Sequence, residues 1–357
     1  MAKTVNQTVL DLNVRHQVYL TRYSTSLVRK ISDVLTDVEQ DVIAQLIKRG
    51  NDGTFTQKRL QALLDSIRDI NADAHRQIQT DLGGELYGLG KYEADFQSAI
   101  LKQALPVAFD VVTPSAQILK AVVSAKPFQG RLLKDWVADM NYNSRRRLQA
   151  AIRIGVVEGE TIDQMVRRIR GTAALKFKDG IISTNKRGAE AMVRTAVNHT
   201  ATYAREALYE ENPDLVKAVR WVSVLDHRTT AICRARDGKI YKAGQGPRPP
   251  AHIGCRSTTA PVVASWRELG IDIDEAPVGT RSSMNGQVPA SQTYPEWLKT
   301  QPREFVEDVL GKSKAKLFLE GNLKIERFVD MGTGREYTLE ELKRREAAAW
   351  KRAGLAA

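Results

Sequence analysis

Between Asp226 and Arg256 lies the densest cluster of chemically capable side chains: Asp226-His227-Arg228-Thr229, Cys233, Asp237-Gly238-Lys239, Pro249-Pro250, His252 and Cys255-Arg256. Thiolate sulfur and imidazole nitrogen are donors that zinc prefers, and a small β unit can draw from a metal folding energy that its own core cannot supply. Cys233, His252 and Cys255 therefore form a candidate zinc site, a short H-x-x-C arm with a long spacer back to the first cysteine. A structural site wants four ligands, however, and only Asp226 or His227 is at hand as the fourth. A second reading packs both cysteines as small apolar residues and engages His252 and Asp226 in hydrogen bonds that fix the loop. A third makes a nucleophile of the Cys and His pair, but no oxyanion-hole loop or orienting carboxamide accompanies it. Walker, G-x-G-x-x-G, H-E-x-x-H and G-x-S-x-G motifs are all missing, so the usual routes to nucleotide and hydrolase chemistry lack their parts.

A second cluster is electrostatic. Residues 1–125 hold 14 basic and 14 acidic side chains, 126–256 hold 25 and 13, and 257–357 hold 15 and 15, so the middle block carries the whole net charge of +12. A localised basic region suits phosphate backbones or an acidic partner; the bland alternative is a solvated basic face. Arg145, Arg146, Arg147, Arg153, Arg167, Arg168 and Arg170 fall on helical stretches, where spacing of three or four residues aligns guanidinium groups on one face. No aromatics are interleaved with them, which favours sequence-independent contact with duplex backbone over base stacking.

The elements that position these residues follow from periodicity. Val28, Ile31, Leu35, Val38, Val42 and Leu46 mark one or two long helices from Val5 to Arg49, closed by Lys48, Arg49 and Gly50. Thr54 or Thr56 caps a second helix with a stripe through Leu60, Leu63, Leu64 and Ile67, continuing past a break near Gly83-Gly84 to Leu105. Pro106, Pro114 and Pro127 punctuate a stretch holding a short helix at 115–124. Further helices are predicted over 132–157, over 162–170 behind the N-cap Thr161, and from about Asn185 to Glu211. Strands are predicted at 216–224 and 256–263, with a hairpin over 232–241 centred on Asp237-Gly238. Residues 272–293 read as a linker or extended arm. Short helices follow at 294–299, 302–310 and 312–320, then a charged helix from the capping box Thr338-Leu339-Glu340-Glu341.

The result is an α+β chain, mainly helical: long N-terminal helices, a small β-rich module and a short helical C-terminal arm. The expected divisions are 1–125 helical, 126–212 basic helical, 213–265 β-rich module, 266–293 linker and 294–357 C-terminal arm. No stretch approaches the roughly 18 apolar residues that span a bilayer, and the start of the chain lacks a signal-peptide core, so a cytoplasmic protein without a membrane is expected. Two cysteines are too few for a disulfide framework.

Arg194-Thr195, Trp221, Asp226-His227-Arg228-Thr229, Cys233, Asp237-Gly238, Pro249-Pro250-Ala251-His252 and Cys255-Arg256, in that order and spacing, resemble the phage head-morphogenesis family that includes the minor head proteins of phages Mu and SPP1. The likeness is strong over about 190–262. Tyr294-Pro295-Glu296-Trp297, Leu310-Gly311-Lys312 and Leu317-Phe318 also look like the tail region of these proteins, whereas residues 1–185 match only in being helical. The sequence departs from the family where Thr230 and Ser257 stand at places that often hold cysteine, and where Ala196 stands for an acid. The resemblance implies a virion protein and not an enzyme. It would be present in few copies, work with portal, scaffold or major capsid protein, and be linked to DNA packaging or ejection after assembly in the host cytoplasm, with no small-molecule substrate. Two rivals stand beside it. One is a metal-dependent or Cys/His enzyme, since some relatives carry C-terminal toxin or hydrolase domains. The other is a free, non-specific binder of double-stranded DNA.

Overall fold

A computed structural model describes residues 5–50, 56–104, 110–264, 268 and 280–355. The alternative cap Thr54, the boundary at Leu105 and Pro106, and the parts of the expected linker around Pro277 and Gly279 lie outside these residues. Helices dominate, with a few short antiparallel strands, as the sequence predicts. The described residues divide into two compact units: the first drawn from 5–19, 92–104, 110–115, 201–264, 268 and 280–355, the second from 20–50, 56–91 and 116–200. No helix among them is long and apolar enough to cross a membrane.

The long N-terminal helices are α1 (Val5–Gly50) and α2 (Gln57–Ala104), each unbroken. The break expected at Gly83-Gly84 is absent because Leu82, Leu86 and Leu89 on the same helix are buried, and their packing outweighs the roughly 1 kcal/mol that each glycine costs. Of the two possible caps, Thr56 is at hand: its Oγ1 accepts from the Arg59 amide at 3.3 Å.

The second unit adds α3 (Ala116–Ser124), α4 (Leu133–Val157), α5 (Ile162–Arg170), a 3-10 turn at Ala173–Leu175, and the first part of α6 (Ile181–Glu211). Its core joins Val42 and Leu46 of α1, Leu63 and Ile67 of α2, Leu148 and Ile152 of α4, and Met165 and Ile169 of α5. Burying each such side chain contributes about 1.5–3 kcal/mol. Gly155 lets α4 and α5 approach, since a Cβ there would sit 2.6 Å from Met165 Cγ. Thr161 caps α5 as predicted, exchanging hydrogen bonds with Gln164. Polar side chains cross the same interior: Asn71 Nδ2 donates to Asn141 Oδ1 at 2.6 Å, and Ser144 Oγ binds both Asn71 and Asn185.

His199, on α6, is buried and packs against Phe128 with ring centroids 5.3 Å apart. Burial pushes its pKa down to about 4 from 6.5, because the charged ring would lose its water. A lowered value in the folded state means that the unfolded chain takes up the proton first. Stability is therefore intact above about pH 6.5 and falls as the pH drops towards 4, by an expected ~3 kcal/mol at the acid end. Denaturant titrations at pH 7 and pH 4.5 check this: the His199→Gln variant should show a flatter dependence, and an equal slope would exclude His199 as the cause.

The first unit is mixed. It contains the ends of α1, α2 and α6, the strand β1 (Val216–Val222), α7 (Ala231–Arg236), β2 (Ile240–Lys242) and β3 (Thr258–Val263). β1 is central and antiparallel to both neighbours, in the order β2-β1-β3. The predicted hairpin over 232–241 is not formed. Its first arm, Ala-Ile-Cys-Arg-Ala-Arg, takes the helix α7, and Asp237-Gly238 ends that helix, with Gly238 at φ +80°. β2 then pairs with β1 instead. Within the expected linker, β4 (Thr280–Ser283) and β5 (Gly286–Pro289) form a hairpin.

The C-terminal helices α8 (Tyr294–Lys299), α9 (Arg303–Leu310), α10 (Lys312–Leu319), α11 (Leu339–Arg345) and α12 (Ala347–Arg352) close over this module, with a 3-10 turn at Ile325–Phe328. Trp221, Leu225, Ile232, Cys233 and Cys255 share one core with Tyr294, Trp297, Phe318 and Phe328. The charged helix expected from Thr338 has its capping box but is interrupted at Glu346.

Candidate functional site

The motif residues of 221–256 are held by buried polar contacts within the first unit. Asp226 follows β1 in a loop where its carboxylate accepts from the backbone of Arg228 at 3.0 Å and from Thr229 Oγ1 at 3.2 Å. Arg256 closes the same carboxylate from across the loop with two bonds of 2.6 and 2.8 Å. Burial alone would raise the Asp226 pKa, but Arg256 overcomes that and leaves it below the ordinary carboxyl value. The Arg228 side chain is exposed, as is His227.

Asp237 is a hub. Its carboxylate accepts from the amides of Ser223 and Tyr294, both at 2.6 Å, and pairs with Arg281 Nη1 at 3.1 Å. Both charged side chains are almost fully enclosed. One carboxylate thus joins β1, the end of α7, β4 and the start of α8. Trp221 is buried beside it, with Nε1 donating to Ser223 Oγ at 3.0 Å and the Arg236 guanidinium 5.2 Å from its ring centre. Pro250 is buried in a cis Pro249-Pro250 bond.

Cys233 on α7 meets His252 and Cys255 from the loop before β3. The sulfurs lie 3.7 Å apart, and Cys233 Sγ is 3.5 Å from His252 Nε2. Both cysteines are buried free thiols. The hydrogen bond between the two thiols and then the nearby His252 hold the Cys255 thiol below its ordinary value, while the same bond and burial push Cys233 up. Thr230 Oγ1 lies 2.8 Å from His252 Nε2, and Ser257 Oγ lies 3.0 Å from Ser223 Oγ. Among the described residues the group that could hold a metal is Cys233, His252 and Cys255. Asp226, one suggested fourth ligand, is engaged by Arg256.

The arginine cluster lies in the second unit. Arg146, Arg147 and Arg153 are exposed on α4, as are Arg167, Arg168 and Arg170 on α5; Arg145 is half-buried, with its guanidinium 5.8 Å from the Tyr142 ring centre. They are not equivalent. Arg168 is bound to Glu158 and Glu160, Arg170 to Glu39 at 2.8 Å, and Arg147 to Asn185 Oδ1 at 3.1 Å. Arg146, Arg153 and Arg167 make no ion pair among the described residues. Lys176 and Lys178, which the sequence reading passed over, stand exposed on either side of Phe177 in the loop from α5 to α6. Arg194 of α6 is a clamp, bonded to Glu190 at 2.9 Å and to Ser24 and Thr25 of α1; Thr195 is buried beside it.

Residues 146–260 match the family model described as phage Mu protein F like protein. Over this segment the chain is similar to the Mu F-like family. The Mu F-like segment runs from the arginines of α4 to β3 and so takes in the metal-capable group, Asp226, Asp237 and most of the exposed arginines. No curated protein and no solved structure matches the chain.

Sequence reasoning missed a buried network in the first unit. Glu93 of α2 is fully enclosed between Arg205 of α6 at 2.9 Å and His16 of α1 at 2.6 Å. Gln97, Asn13 and Tyr209 extend it through bonds of 2.7 to 2.9 Å. Glu206 is likewise buried and forked by Arg248.

Proposed function

We propose that this chain is a minor head protein of a tailed bacteriophage, acting in head morphogenesis with portal, scaffold or major capsid protein and contacting double-stranded DNA without sequence preference during packaging or ejection. The observation that carries the reading is the Mu F-like segment at 146–260, the family of phage head-morphogenesis proteins. The charge distribution supports the DNA contact: residues 116–200 of the second unit hold 16 basic and 7 acidic side chains. A structural role fits a chain whose motif acids, Asp226 and Asp237, spend their charge on internal arginines. The protein acts in the phage head, assembled in the host cytoplasm.

Binding of the full chain to unrelated duplexes across a salt series tests the DNA contact. The wild type should bind all sequences alike and lose affinity steeply with salt. Changing Arg146, Arg153 and Arg167 together to Ala should make the logarithmic slope shallower by about 2–3, since each neutralised phosphate contributes about 0.9. Arg168→Ala should change the slope less, because its charge is already paired with Glu158 and Glu160. No binding at low salt would assign the basic face to a protein partner or to solubility.

A further inference from the structure

We propose that Cys233, His252 and Cys255 bind a single zinc ion, with water as the fourth ligand. A tetrahedral ion with bonds of about 2.3 Å to sulfur and about 2.0–2.1 Å to nitrogen requires edges of about 3.8 Å between two sulfurs and about 3.6 Å between sulfur and nitrogen. The observed separations are 3.7 Å between Cys233 and Cys255 and 3.5 Å between Cys233 Sγ and His252 Nε2, and all three ligand atoms lie within 4.8 Å of one another. A disulfide would need the sulfurs at about 2.05 Å.

The surroundings suit a metal as well as the distances do. His252 Nδ1 lies 2.9 Å from the Ile253 carbonyl oxygen, which can only accept, so the ring proton sits on Nδ1 and the Nε2 lone pair faces the two sulfurs. Thr230 Oγ1, 2.8 Å from that same nitrogen, stands where it can hold a zinc-bound water once the metal takes the lone pair. Asp226 is excluded as a ligand because Arg256 occupies both its oxygens. The ion would tie α7 to the loop before β3, two segments brought together from opposite sides of β2. The module does not depend on it for a core, since that core is shared with the C-terminal helices. This inference is independent of the head-protein reading.

The test is the zinc content of the full chain after dialysis without chelator, by mass spectrometry, for the wild type, Cys255→Ser and His252→Ala. One zinc per wild-type chain is expected, falling at least about tenfold in each variant. Cobalt titration of the metal-free wild type guards against variants that fail to fold: a thiolate-to-cobalt charge-transfer band with intense visible bands of tetrahedral cobalt is the expected result. Wild-type protein with under about a tenth of an equivalent of zinc and no thiolate-cobalt band would overturn the proposal and leave the trio as a hydrogen-bonded packing cluster. Folded variants that retain the full zinc content would overturn it equally.

Discussion

Replacing Glu93 by Gln should lower the stability of the protein by about 3–5 kcal/mol, the cost of leaving a buried charge without its partner. The carboxylate is enclosed between Arg205, which is 1% exposed, and His16, at 4%. Glutamine preserves the shape and some hydrogen bonds but strands the Arg205 guanidinium in the interior. Burial alone would raise the Glu93 pKa; Arg205 and His16 reverse that and hold it below the ordinary carboxyl value. A lowered carboxyl value supplies stability above the ordinary carboxyl range and loses it as the pH falls through the folded-state value, so Glu93→Gln should also remove part of the acid sensitivity. Denaturant unfolding of wild type, Glu93→Gln, Arg205→Leu and the Glu93→Leu, Arg205→Leu pair decides the matter. The double variant should recover much of the loss, and a loss below about 1 kcal/mol in Glu93→Gln would show that the pair is not the keystone of this interior.

Asp237→Asn should be comparably damaging, by about 3–5 kcal/mol, and for a related reason. The carboxylate balances the buried Arg281 while accepting from the Ser223 and Tyr294 amides. An asparagine has one oxygen instead of two and turns an NH2 towards one of these donors, leaving an amide or the guanidinium unsatisfied. Because the Asp237 contacts reach β4 and α8, the loss should appear as earlier unfolding of the C-terminal helices, detected by hydrogen exchange in 294–310. Unaltered protection there would contradict the hub role.

Much of the fold was legible. The stripes of α1 and α2, the Thr161 and Thr338 caps and the strands β1 and β3 all follow from periodicity and cap residues, which act locally. The failures were those in which a local signal has two uses. Asp-Gly ends a helix as readily as it turns a hairpin, and here α7 precedes it because Asp237 is bonded to Ser223 and Tyr294, far off in sequence. Gly83-Gly84 reads as a break, but the leucines around it keep α2 whole. The Glu93 network left a trace: Asn13 and His16 on α1, and Glu93 and Gln97 on α2, occupy stripe positions where leucine is the usual choice. Polar residues in an apolar stripe, on two helices at once, are a sign of partners that only the tertiary fold supplies. For the site, the meeting of Cys233, His252 and Cys255 was legible from residue type. Which arginines stay unpaired was not, since Glu158, Glu160 and Glu39 neutralise neighbours by geometry that spacing does not encode.

Whether the chain is a head protein is tested most directly by gradient sedimentation of proheads from cells producing the phage, with the chain followed by immunoblot. The chain is expected to travel with the prohead fraction, at a few copies per particle. Recovery of the chain entirely at the top of the gradient, apart from assembled heads, would contradict the head-protein reading.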